Sequence, residues 1–182
     1  MNPNPNYLFK TRAYLVGAMS CADGSSWRSK VEQSLKEMGV IVLNPYNHPF
    51  VNSCQEDNDA TNKLKKMIAL NQYDEASAMT RKIRTEDLRC VDISDFIFCY
   101  LNPKVPTCGS YEELFESNRS KKPIFLSIDG GKKETPLWLF GTIPHKYIYD
   151  NVDDAIEMLK KIDNGTVAID SERWRLLRKE FR

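Results

Sequence analysis

Three carboxylates in this sequence stand where acid–base or nucleophilic chemistry could be done. The stretch "CGSYEEL", residues 108–114, places Ser110 three residues before Glu113. That spacing is the capping box, in which hydroxyl and carboxylate satisfy free amides at a helix start. Read instead as a strand-to-helix turn of an α/β protein, the same stretch holds a carboxylate where such proteins keep their sites. The helix dipole favours an anion there, and an ionised carboxylate could act as a nucleophile. Glu112 follows Tyr111 on the outer side of the turn and reads as solvated. The third carboxylate, Asp87, lies four residues from both Ile83 and Val91, within the apolar stripe of a helix expected over roughly residues 74–92, and so is aimed inward. Spacing alone also allows Asp87 to be a helix-end aspartate bonded to backbone, Arg84 or Arg89, and Glu113 to be a simple cap. Two carboxyls held in different protonation states would suit cleavage of a glycosidic bond, one as nucleophile and one as acid.

The elements that must position these groups follow from periodicity. "RAYLVGAM", residues 12–19, is a short β-rich apolar run and reads as a buried strand. After the loop "SCADGSS", residues 27–39 carry Trp27, Val31, Leu35 and Met38 at helical spacing, with Gly39 as C-cap. "VIVLNP", residues 40–45, is a second strand, which closes a β-α-β unit with parallel strands and a right-handed crossover. Residues 46–72 read as a polar, partly helical insertion over one end of the sheet. "DFIFCYL" and "KPIFLSI" are the third and fourth strands, with a helix over residues 110–119 between them, and "HKYIY" is a candidate fifth. "NVDDAIEMLKKID" and "SERWRLLRKEF" read as C-terminal helices. The pattern predicts one domain over residues 1–182: an α/β core over 12–150 and C-terminal helices over 151–182. Its fold class is a flavodoxin-like, Rossmann-like open parallel sheet of about five strands with helices on both faces. Ligands in such sheets bind beyond the carboxyl ends of the strands.

Composition narrows the partners. With 26 Lys and Arg against 25 Asp and Glu, the net charge of +1 gives no electrostatic footprint for a nucleic-acid polymer. No 18-residue apolar run or signal-like start is present, so no membrane association is expected and the location read from the sequence is cytoplasmic. Five cysteines without a C-x-x-C pair and two histidines, His48 and His145, suggest neither a disulfide framework nor a metal site. Both histidines sit in loops beside prolines, and His48 is the one taken as a substrate-side candidate. The first loop has no G-x-G-x-x-G or P-loop pattern, which weakens dinucleotide and nucleoside-triphosphate readings.

Taken in order, "AYLVGAM", "WRSKVEQSLKEMGVIVLNP", "EDLRCVDISDFIFCYL" and "CGSYEELFESNRSKKPIFL" resemble the nucleoside 2-deoxyribosyltransferase-like superfamily, which includes the 2'-deoxynucleoside 5'-monophosphate N-glycosidases. The resemblance covers about residues 12–128. Its most specific element is a G-[ST]-x-x-E-L run after a strand, matched by Gly109, Ser110, Glu113 and Leu114. It implies a retaining double displacement on a deoxynucleoside or its 5'-monophosphate, with no metal or organic cofactor, in a homo-oligomer whose active sites are completed by a neighbouring subunit near "TPLWLFG". Glu113 matches the nucleophile, Tyr14 the tyrosine that hydrogen-bonds it, and Asp87 of "EDL" the residue of sugar binding and base protonation. Glu112 matches nothing. Gly17, Ser20 and Arg28 around the first loop, and Thr107, Gly109 and Ser110 around the third, fall on the substrate side. Thr107 occupies the position where hydrolases carry a phosphate-binding serine and transferases an aspartate, which tilts the expectation toward a monophosphate. The alternative from another class is a non-catalytic nucleotide-binding sensor or subunit that uses the same pocket.

Overall fold

The computed structural model describes residues 6–19, 26–47, 58–167 and 173. Five strands, β1 (Arg12–Gly17), β2 (Ile41–Leu43), β3 (Phe96–Leu101), β4 (Ile124–Ile128) and β5 (Ile148–Tyr149), form one sheet in the order β2-β1-β3-β4-β5. Every pairing is parallel. This is the flavodoxin-like strand order, and its chain reversal lies between β1 and β3. Parallel strands covered on both faces must be apolar throughout. The buried runs Ala13–Gly17 and Ile124–Ile128 meet that requirement.

The α-helices among the described residues are α1 (Ser26–Glu37), α2 (Asn58–Ala69), α3 (Tyr73–Ile93), α4 (Cys108–Arg119), α5 (Leu137–Phe140) and α6 (Val152–Asp163). On one face of the sheet α1 lies against α6, and Trp27 of α1 packs on Phe98 and Tyr100 of β3 at centroid distances of 6.1 and 5.4 Å. On the other face α3 and α4 pack together over β1. Tyr14 is in register with Ile97, so its side chain leaves the sheet on the same side as Ile97 and Cys99. The sequence pattern thus puts Tyr14, α3 and α4 on one side of the reversal point, where a ligand crevice is expected.

Two local expectations are corrected. The helix beginning at "CGSYEEL" starts at Cys108 with Thr107 as N-cap, and no side chain caps it. Ser110 therefore lies inside the first turn and forms no capping box. "HKYIY" gives only a two-residue strand, because His145–Tyr147 close a 3-10 turn in which the Tyr147 amide donates to Pro144 O. The insertion resolves into α2, packed on α3, while residues 48–57 and the candidate C-terminal helix after 173 lie outside the described residues. Among the described residues no helix is long and apolar enough to cross a membrane.

Candidate active site

Asp87, Tyr14 and Glu113 meet on one oxygen. The Tyr14 hydroxyl stands 2.8 Å from Glu113 Oε1 and 3.1 Å from Asp87 Oδ1, although the three residues come from β1, α3 and α4. All are nearly enclosed: Tyr14 is 1% exposed and each carboxyl residue 8%. The apolar stripe of α3 turns Asp87 inward, as its spacing requires, and one turn along α4 from Cys108 carries Glu113 to the same point. A phenol has one proton to donate. When both contacts are hydrogen bonds, one of the two carboxyls must therefore carry a proton and the other accept one. Burial, and then the negative charges of Glu113 and Asp87, push the Tyr14 hydroxyl well above its ordinary pKa, so it stays a neutral donor.

These three residues form the floor of a cleft of about 210 Å³. Gly17, Ala18 and Met19 after β1 give one wall, Pro106, Thr107, Gly109 and Ser110 before and within α4 give another, and Pro45 and Thr61 of α2 close the edge. Of the sequence-predicted residues, Tyr14, Gly17, Asp87, Thr107, Gly109, Ser110 and Glu113 come together here. Arg28 does not: it is 1% exposed and lies behind the wall, with Nη2 donating to Gly17 O at 2.7 Å and Nη1 to Ala18 O at 3.3 Å. Ser20 and His48 lie outside the described residues. Glu112 faces away, as its place in the turn suggested, but it is ion-paired with Arg84 across α3 and α4 rather than merely solvated. The Arg84 hydrogen bonds hold the Glu112 carboxyl below its ordinary range.

Thr61, Pro45 and Met19 were missed by sequence reasoning. The signal for Thr61 was the placement of the insertion over the carboxyl end of the sheet, and for Met19 and Pro45 the ends of the first two predicted strands, each of which names a segment and not a residue. Gly109 has a further meaning in the structure: a Cβ built on it meets nothing within 4 Å and would project into open space. Among the described residues, no group of three or more His, Cys, Asp or Glu could hold a metal ion.

No protein-family profile and no curated protein matches the sequence. Among solved structures the chain is similar to a 2-deoxyribosyltransferase from the psychrotolerant bacterium Bacillus psychrosaccharolyticus, at 17% identity over 80% of this chain and 90% of that chain, with a TM-score of 0.56. That likeness establishes the shared fold. A Clostridium botulinum CMP N-glycosidase, BcmB, aligns at 17% identity over 82% and 98% of the two chains, with a TM-score of 0.45.

Proposed function

We propose that this chain cleaves or transfers the 2-deoxyribosyl group of deoxynucleosides or their 5'-monophosphates through a glycosyl-enzyme ester. The observation that carries the reading is the buried Asp87–Tyr14–Glu113 array on the floor of a cleft at the sheet's reversal point. Both carboxyls touch one hydroxyl. Two carboxyls bridged by one hydroxyl support the close arrangement of retaining glycosidases, roughly 5–5.5 Å, over the wider gap that leaves room for a water between them. Glu113, in the first turns of α4, attacks C1' and forms the ester as the C1'–N bond breaks. Asp87 gives the departing base its proton. In the second step water or another base attacks C1', the ester bond breaks, the Glu113 carboxylate is released and Asp87 recovers a proton from the incoming group. Tyr14 holds Glu113 in line and stays protonated throughout.

Electrostatics favours the uncharged nucleoside as substrate. Two carboxyls face the cleft, and its described lining includes no lysine, arginine or histidine. A 5'-phosphate would depend on the first-turn amides around Gly109 and on the Thr107 and Ser110 hydroxyls. The homo-oligomer implied by the sequence resemblance belongs to this proposal. It is supported by α5, whose Leu137 and Trp138 are 88% and 80% exposed in the segment expected to reach a neighbour's site.

The test incubates the purified chain with the four deoxynucleosides and their monophosphates and measures free base, with and without a second base. Glu113→Ala is expected to abolish base release and Glu112→Ala to retain most of it. A new nucleoside on adding the second base marks transfer, and its absence marks hydrolysis. Binding without release from any compound supports the sensor reading, and an active species that sediments as a monomer removes the assembly from the proposal.

A further inference from the structure

Arg28 is the third residue of α1, sandwiched between the rings of Trp27 and Tyr46 at 4.5 and 5.3 Å. Its guanidinium donates to the carbonyls of Gly17 and Ala18, and the Tyr46 hydroxyl donates to the next one, Met19 O, at 3.0 Å. Three successive carbonyls of the cleft wall are thus held from behind by two side chains. A guanidinium is a rigid planar fork that serves two acceptors at once, which a lysine ammonium does with far less geometric control. The wall has no slack on that side either: a Cβ at Gly17 would stand 2.6 Å from Tyr100 O, 2.9 Å from Trp27 Cζ2 and 3.6 Å from Arg28 Nη2.

We propose that Arg28, together with Tyr46, is a positioning residue that clamps the loop after β1 and thereby sets the substrate-facing wall of the cleft; this rests on the reading of the site given above. The clamp draws the negative ends of two peptide dipoles, those of Gly17 and Ala18, toward the guanidinium and a third, that of Met19, toward the Tyr46 hydroxyl. It also leaves a fixed positive charge behind that wall. Burial pulls the Arg28 guanidinium below its ordinary pKa while the Glu113 charge opposes that shift, so the cation and the Glu113 carboxylate attract each other through the wall.

The experiment compares wild type with Arg28→Lys and Tyr46→Phe, and with Arg28→Met if that variant folds. KM and kcat for base release are measured on the best deoxynucleoside of the panel, with amide exchange of residues 15–19 read by mass spectrometry. A purely structural role lowers the active fraction, and so kcat, at unchanged KM. The clamp predicts instead that Arg28→Lys and Tyr46→Phe each raise KM roughly tenfold with kcat changed less than about threefold, and that exchange of the loop is faster in both. KM within about twofold of wild type in both folded variants, or a raised KM without faster exchange, overturns the clamp. If wild type releases no base from any compound, the functional reading is what has failed. Loop exchange then still judges the clamp: unchanged rates in both variants would refute it.

Discussion

At the residue scale the site turns on a single proton. The Tyr14 hydroxyl links Asp87 and Glu113, and burial ensures that it stays protonated. Tyr14→Phe keeps the ring that fills the space under α3 and α4 and removes that proton. Two buried carboxyls then face a carbon, at a cost of about 1–3 kcal/mol for polar groups stripped of a partner. The variant is expected to unfold at lower urea and to release base with kcat reduced roughly 10- to 100-fold, because the nucleophile loses its fixed orientation. Stopped assays and urea titrations on the same preparation check both effects. A fully active, destabilised Tyr14→Phe would mean that the tyrosine is a core residue only. Periodicity by itself leaves Tyr14 indistinguishable from any buried aromatic on a strand, since it says which face a side chain takes and not which distant helix it meets; only the family resemblance singles it out.

At the scale of elements, a glycine at the end of β1 and a glycine in the first turn of α4 both line the cleft, and the two do opposite things. Gly17 is a packing necessity, because any Cβ there meets the Tyr100 carbonyl, a backbone atom that cannot step aside. Gly109, in the first turn of α4, has open space where a Cβ would go. Gly109→Ala is therefore expected to fold at least as well as wild type, gaining about 0.4–1 kcal/mol from the smaller entropy of its unfolded chain, while its methyl group raises KM by intruding on the substrate. Gly17→Ala should lose at least about 2 kcal/mol through the clash. Thermal melts beside KM values for both variants check the contrast; equal destabilisation of the two would count against this geometry. The sequence made both glycines visible and left their difference hidden. Elements with strong periodicity were legible: β1, β3 and β4 as apolar runs, and α3 with Asp87 inside its stripe. The start of α4 was not. Ser110 and Glu113 carry the letters of a capping box, and only the tertiary position of Tyr14 shows that the carboxylate is engaged away from the helix backbone. Nor could Arg28 be placed, because a basic residue near a loop reads as a ligand contact until the rings of Trp27 and Tyr46 are seen to enclose it.

For the whole molecule, the sheet that builds the cleft also buries ionisable groups whose pH response reports on the fold. Cys99 of β3 is fully buried, and desolvation, then the Glu113 charge, lift its thiol well above the ordinary value of 9.0. Cys90 of α3 is lifted to about 12, first by desolvation and then by the charges of Asp87, Glu113 and Glu86. The Tyr14 hydroxyl is raised in the same way from 10.0. For each of these groups the folded state holds its proton to a higher pH than the unfolded chain does. Between the unfolded and folded pKa values the native state binds more protons, so unfolding is favoured as pH rises. Their contribution to stability is fully present below about pH 9 and is lost progressively above it, first through the thiols and then, past about pH 10, through the tyrosine as well. A fully buried group such as Cys99 adds a slope of up to about 1.4 kcal/mol per pH unit in that window. Urea midpoints should therefore show no loss from these groups between about pH 7 and 8.5 and fall steeply from about pH 9 to 11. Cys99→Ala, although less stable at neutral pH from the atoms removed, should show a shallower fall between pH 9 and 10. An unchanged slope in Cys99→Ala would mean that this thiol ionises as readily in the folded chain as in the unfolded one, which the enclosure of β3 between helices on both faces does not allow.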